Sequence, residues 1–596
     1  MIRRPLRPIA QVLKARAAGD DPDLIEAEAK AARLRHQRNS ERRRAQSRLI
    51  LLSLVFVLAF GTVGWKMTAL ATSVPVEPAS LGRQVQIVNQ RADIVDRNGE
   101  ILATNLITTS LFAHPQDMVD KRGAANGLAY IFPDINADKL FRQFSGRRKF
   151  VWIKRQLSPE QRQMVYDLGE PGLQFGPREL RLYPNGNLAA HVLGGTAFGR
   201  EGVHAAEVIG TAGVELEFDT FLRDPAEDGA PLELSIDISV QAAMRRVLAG
   251  GMAMMKARGA TAVLMEVDTG QIISMVSLPD FDPNHRPALP VSGDPADSPL
   301  FNRSAQGKYE LGSTFKLFTA ALAMETGVAN PNTMVNTRGP LRWGKFKIRD
   351  FHNYGARLSL MDVIVKSSNI GSANLAREIG AERQQDFLRS LGFFAALPVE
   401  LKEARRSKPI LPSRWSELSA MTISYGHGLA ATPLHLASAY AAMVNGGLKI
   451  TPTLLKNTVV PTEVDRVISP QTSAHLRDML RQVVVRGTAS LGDVEGYQVG
   501  GKTGSADKPN PQGGYYEDKV LATFASVFPM DAPKYVLVVT LDEPEVFMAG
   551  ELRHSAGWTA VPVGAEIIRR IAPIMGVRPE WFDDDVETPA LILTRN

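Results

Sequence analysis

Leu49 to Trp65 (LILLSLVFVLAFGTVGW) is a run of 17 residues without a charge, bracketed by Arg48 and Lys66. It constrains the chain strongly, because backbone groups in hydrocarbon must be satisfied within the segment, and a single segment achieves this only as a helix. Such a helix rises about 25 Å at 1.5 Å per residue. That is short for a bilayer core, and the flanking basic side chains snorkel to make up the difference. Arg42, Arg43, Arg44 and Arg48 precede the run, whereas Lys66 alone follows closely. The positive-inside rule then leaves the N-terminus in the cytoplasm and exports the larger C-terminal part. Ala69-Leu-Ala71 has the small residues of a cleavage site, but both the 48 residues ahead of the run and the run itself are long for a signal peptide. A single-pass anchor over 49–66 is the expectation.

At 596 residues the chain exceeds what one core organises, so two or more domains follow. The net charge of +6 points toward nucleic acid until it is located. Residues 1–50 hold 13 Lys and Arg against 6 Asp and Glu, and the rest hold 56 against 57. A near-neutral body with a basic tail argues against a nucleic-acid partner. Cysteine is absent, which removes disulfides and thiolate-bound metals. The ten histidines form no H-E-x-x-H, and there is no G-x-x-x-x-G-K-[ST] phosphate loop. His427 and His435 share a helical-looking stretch with no acidic third ligand, as core or surface residues would. No metal and no cofactor is expected.

Residues 1–48 form a basic cytoplasmic tail, loosely ordered or helical, and 73–78 a linker. Over 75–230 short apolar runs alternate with turns at Arg97-Asn98-Gly99, Tyr183-Pro184-Asn185-Gly186 and Gly194-Gly195, the pattern of an elongated mixed domain without a catalytic cluster. A second domain spans 231–575. Leu232–Asp237 alternates as a strand, Val240–Ala249 has helical spacing, and Thr261–Val267 with Gln271–Val276 form a hairpin about Asp268-Thr-Gly270. Ser313–Thr326 suits a buried helix closed by Gly327. Tyr497–Ser505, Ala522–Val527 and Tyr535–Leu541 read as neighbouring strands, and helices packed around them give an α+β domain. Residues 576–596, with Asp583-Asp-Asp585, form a tail.

Three strings carry chemistry: Ser313-Thr-Phe-Lys316, Ser367-Ser-Asn369 and Lys502-Thr503-Gly504. S-x-x-K recurs at Ser505–Lys508 and S-x-N at Ser372–Asn374, so order and spacing give the set its meaning. A serine hydroxyl needs a base within reach. Ser313 and Lys316, at i and i+3, share a helix face, and the helix N-terminus adds positive potential at the serine. Phe315, Leu317 and Phe318 surround the lysine, and desolvation favours its neutral form. Ser367 can relay a proton, and the Asn369 amide can pair with a peptide-like substrate. The glycine-flanked strand at Lys502 can bind an extended peptide by strand addition, with Lys502 and Thr503 holding a carboxylate. Backbone N–H groups of Ser313 and Ser505 would form an oxyanion hole. Taken singly, each string also fits a bland role: a solvated lysine, a helix cap, a glycine-rich turn.

At these residues the chain resembles the class B penicillin-binding proteins, anchored D,D-transpeptidases of peptidoglycan, from about residue 84 to 570. Arg91-Ala-Asp-Ile-Val-Asp96-Arg97-Asn98-Gly99, Arg181-Leu-Tyr183-Pro184-Asn-Gly186 and Ala212-Gly213-Val-Glu215 match motifs of the family's pedestal domain. Ser424-Tyr425-Gly426-His427-Gly428 with Thr432-Pro433-Leu434 is similar to the cell-division branch. Ala92 stands where the family has Gly, and Leu311 where it often has Pro. The resemblance implies an antiparallel sheet in the transpeptidase domain on a non-catalytic pedestal. It implies Ser313, Lys316 and Ser367 as catalytic residues, with Asn369, Lys502, Thr503, Gly504 and Ser505 binding substrate. It also implies a D-Ala-D-Ala stem peptide as donor, an amine acceptor, acylation by β-lactams, and a SEDS-family glycosyltransferase as partner in the division complex at the septum of the inner membrane. The same triple would serve a D,D-carboxypeptidase or β-lactamase, and a non-catalytic scaffold or penicillin sensor is the reading from another class.

Overall fold

The structure is a computed structural model and describes residues 9–19, 21–72, 91–201, 206–224, 229–344, 346–456, 464–510, 512–548 and 550–580. The linker at 73–78 and the acidic stretch at 583–585 lie outside the described residues. Internal contacts divide the chain into two compact units, the first of residues 1–77, 112–153 and 164–174, the second of 78–111, 154–163 and 175–596.

In the first unit one helix, Pro22–Thr72, runs for 51 residues through both the basic arm and the apolar run. Its Leu49–Thr68 part has a mean hydropathy of 2.0, is wholly unburied, and is long and apolar enough to cross a membrane. Further along this unit, Asp120 caps Lys121–Ile131 by accepting from the amides of Arg122 and Gly123, and Asn136 caps Ala137–Ser145. Phe112, His114, Phe150 and Trp152 pack with ring centroids 5.0–5.7 Å apart.

In the second unit strand Ile94–Val95 pairs antiparallel with the start of Ile101–Ala113 and parallel with Leu232–Glu233. Asp96 closes the turn that follows by accepting from the amides of Asn98 and Glu100, and its other oxygen accepts from Ile238 N at 3.1 Å. The three pedestal motifs converge on the fully buried Glu215. Its carboxylate accepts from Arg91 Nε at 2.6 Å, Arg181 Nε at 2.7 Å and Tyr183 Oη at 3.3 Å.

The larger core surrounds a five-stranded sheet. Its elements in chain order are helix α1 (Ile238–Met254), strands β1 (Gly259–Glu266) and β2 (Ile272–Leu278), helices α2 (Lys316–Glu325), α3 (Asn369–Ile379), α4 (Pro433–Val444) and α5 (Pro470–Arg486), strands β3 (Gly500–Pro509), β4 (Tyr515–Phe528) and β5 (Tyr535–Asp542), and helix α6 (Ala560–Ile574). The strand order is β3-β4-β5-β1-β2, antiparallel throughout, with β3 on the edge. Strand β2 is buried at every position and β1 at all but one, so both faces need helical cover. Helices α1 and α6 pack on each other and on the sheet, α4 packs on β1 and β5, and α5 on β3. The expected hairpin and the three late strands are present, and the α+β class holds.

The expected helix from Ser313 to Thr326 is divided. Gly312–Phe315 is a tighter 3-10 turn in which Lys316 N donates to Ser313 O, and the α-helix proper begins at Lys316. One turn of 3-10 helix leaves apolar spacing almost unaltered, so periodicity alone does not separate the two.

Candidate active site

The turn that carries Ser313 is fixed from beneath. Phe315, Phe318, Phe393 and Tyr440 interlock with ring centroids 5.0–5.6 Å apart, and Tyr440 Oη donates to Thr314 O at 2.8 Å. Thr314 Oγ1 donates to Leu311 O at 2.9 Å. The edge strand β3 then runs against the turn. A Cβ on Gly504 would stand 2.3 Å from Leu311 O, so only glycine permits this approach. A Cβ on Gly312 would stand 3.0 Å from Ser505 O, which places the Ser505 backbone beside Ser313.

Lys316 is wholly buried, and its Nζ donates to Ser367 O at 2.5 Å, Asn369 Oδ1 at 2.7 Å and Ser367 Oγ at 3.0 Å. Lys502 is equally buried and donates to the same Ser367 Oγ at 3.0 Å and to Thr503 O at 3.1 Å. Ser367 itself holds φ +62°, a left-handed conformation that costs a serine roughly 1–3 kcal/mol and that the surroundings must impose. Ser368 caps α3 through Gly371 N and donates to Asp350 Oδ2 at 2.7 Å, Ile370 N donates to Asp350 Oδ1 at 3.0 Å, and Asn369 Nδ2 donates to Arg349 O at 2.9 Å.

Two desolvated ammonium groups sharing one hydroxyl disfavour the doubly charged state. Burial, and then the charge of Lys502, hold Lys316 well below the ordinary lysine range, while Asp350 pulls the other way. Burial brings Lys502 down to about 7. A neutral Lys316 has a lone pair to accept a proton, and the Ser367 hydroxyl links it to Lys502, which together make a proton path of three side chains.

The structure thus brings Lys316, Ser367, Asn369 and Lys502 together beside Ser313. Among the described residues Ser313 Oγ makes no hydrogen bond. Lys502 turns inward to Ser367, Thr503 Oγ1 pairs with Thr488 Oγ1 at 2.6 Å, and Ser505 Oγ accepts from Ala556 N at 2.9 Å. The repeated strings are elsewhere engaged. Ser372 Oγ donates to Ser368 O, Asn374 to Asn336 O, and Lys508 pairs with Asp542 and Glu543. His435 bonds Thr432 and Ala395 O, and His427 is lowered to about 4 by burial and by Lys316, which leaves it neutral. Asp350 escaped the sequence reading, since nothing near it in sequence marks it as the partner of a helix start some twenty residues on.

A family model for the penicillin-binding protein transpeptidase domain matches residues 260–569, and one for the penicillin-binding protein dimerisation domain matches 86–227. The chain belongs to the class B penicillin-binding proteins. Among the relatives of this class B protein is the probable peptidoglycan D,D-transpeptidase FtsI of Caulobacter vibrioides, 35% identical over 82% of each chain. Peptidoglycan D,D-transpeptidase FtsI of Escherichia coli K12 is 29% identical over 89% of this chain and 91% of its own. The crystal structure of penicillin-binding protein 3 of Mycobacterium tuberculosis complexed with aztreonam matches with a TM-score of 0.61 at 25% identity, over 82% of this chain and 97% of that one.

Proposed function

We propose that this class B penicillin-binding protein is a peptidoglycan D,D-transpeptidase that cross-links stem peptides at the division septum. The observation that carries the reading is the pair of buried lysines meeting on Ser367 Oγ beside Ser313. Ser313 Oγ attacks the penultimate carbonyl carbon of a D-Ala-D-Ala stem and gives its proton to neutral Lys316. The proton passes through Ser367 to the nitrogen of the departing D-Ala, and an acyl ester remains on Ser313. An amine of a second stem then attacks that ester, the C–Oγ bond breaks, and Ser313 recovers its proton. Backbone N–H groups of Ser313 and Ser505 stabilise the oxyanion, supported by the closeness of the two segments. Asn369, Lys502, Thr503, Gly504 and Ser505 line the substrate, and β-lactams acylate Ser313.

The reading keeps the division into a cytoplasmic tail over 1–48, an anchor over 49–66, a pedestal over 75–230, a transpeptidase domain over 231–575 and a tail over 576–596. The two family matches and the apolar helix support it. It places the N-terminus in the cytoplasm and the catalytic domain outside the inner membrane, with a SEDS-family glycosyltransferase as partner. A fluorescent penicillin should label the full-length protein in membranes and leave Ser313→Ala unlabelled, as it should Lys316→Ala. Equal labelling of Ser313→Ala would overturn the assignment.

A further inference from the structure

A second charged feature lies at the mouth of the site and takes no part in the proton path. Glu310 stands three residues before Ser313, with its carboxylate half-buried. Its Oε1 accepts from Gly428 N at 2.8 Å, and Tyr515 Oη lies 3.1 and 3.0 Å from its two oxygens. No Lys, Arg or His among the described residues forms an ion pair with it. Elsewhere in the domain Asp542 and Glu543 hold Lys508 and Asp294 holds Arg258, whereas the exposed Asp507, close enough to Tyr515 to act on it, likewise forms no ion pair among the described residues.

The segment that supplies Gly428 rests on the serine turn. Gly312 N donates to Gly426 O at 3.2 Å, and a Cβ on Gly426 would collide with Gly312 O at 1.9 Å. Three rings line the approach. His427 lies 5.4 Å from Tyr425 and 5.8 Å from Tyr515, centroid to centroid, and Tyr515 is 45% exposed. The wall therefore offers an unpaired carboxylate beside aromatic rings, at the edge of the nucleophile's turn. That combination recognises a cation with N–H donors, through a charge-assisted hydrogen bond and through the negative faces of the rings.

The reaction supplies such a group. We propose that Glu310, with Tyr425, His427 and Tyr515, forms a subsite for a primary ammonium of a stem peptide. The inference rests on the transpeptidase reading. The ammonium has two possible sources, the attacking amine of the acceptor and a side-chain ammonium on the donor. In the first case the docked ammonium loses a proton to solvent and the amine attacks the acyl carbon. The C–N bond forms as C–Oγ breaks, and Ser313 Oγ takes a proton back. In the second case the contact fixes the donor while Ser313 attacks.

The test compares the full-length wild type with Glu310→Gln, a change that keeps the shape and removes the charge. With a thioester donor and a primary-amine acceptor, the ratio of transfer to hydrolysis is read from one acyl-enzyme. With lysine-containing donors, the kcat/KM for the free side chain is compared with that for its N-acetylated form. Each ratio is internal, so it stays readable even if the variant acylates slowly. Acceptor docking predicts that the transfer-to-hydrolysis ratio falls roughly tenfold or more in the variant; donor docking predicts the same loss in the free-to-acetylated preference. Both ratios within twofold of wild type would overturn the subsite. A wild type that no penicillin labels would instead overturn the reading on which it rests.

Discussion

At the scale of single residues the site is an electrostatic balance. In the proposed mechanism Lys316 must lose a proton to act as base, and burial and Lys502 favour that loss while Asp350 opposes it. Asp350 also holds Ser368 and the start of α3, and through them the left-handed Ser367. Asp350→Asn preserves the shape and can still accept from Ile370 N, so it mainly removes charge. Without the carboxylate the protonated lysine is less favoured and its pKa drops further. The acid limb of the penicillin acylation rate, which follows the neutral fraction of Lys316, should move to lower pH. An acid limb that stays in place would show that Asp350 acts through geometry alone. The lysine's low pKa was legible in the sequence because Phe315, Leu317 and Phe318 are its immediate neighbours. The second ammonium was not, since the sequence reading gave Lys502 a substrate carboxylate, and its contact with Ser367 joins residues 135 positions apart.

At the scale of elements, the proposed site depends on an edge strand pressed against a turn. Strand β3 passes so close to Leu311 that Gly504 has no room for a side chain. Gly504→Ala forces the strand or the turn aside by an ångström or more. A displacement of about 1 Å at reacting groups costs on the order of a hundredfold in rate. Acylation by penicillin should fall by about that factor while the melting temperature changes little, because the edge strand can shift without opening the core. Wild-type acylation in that variant would show that the turn and strand move independently. Alternation and glycine spacing disclosed the strands and the edge character of β3. The 3-10 turn at Ser313 remained hidden within a helical pattern, because the break comes from hydrogen-bond geometry and the neighbouring backbone. The order of side chains does not record it.

At the scale of the molecule, three strings that look unrelated in sequence close on one carboxylate. Arg91, Arg181 and Tyr183 all reach Glu215, and Arg91 continues to Asp219 at 2.6 Å. The sequence displayed these motifs as a family signature. Their convergence follows only from the fold, which returns residues 34 and 124 positions distant to one point. Two buried guanidinium groups meet on Glu215, so removing it takes the carboxylate from Arg181 and leaves Arg91 with Asp219 alone. Breaking a buried pair from one side costs roughly 3–5 kcal/mol, much of it the desolvation of the partner left behind. Glu215→Ala should therefore lower the free energy of unfolding in denaturant by about that amount. Fluorescent-penicillin labelling per folded molecule should stay near wild type, since the cluster touches none of Ser313, Lys316, Ser367 or Lys502. If labelling per folded molecule fell, the cluster would be tied to the chemistry. An unchanged denaturation midpoint would mean that the arginines find other partners, and that the convergence contributes nothing to holding the chain together.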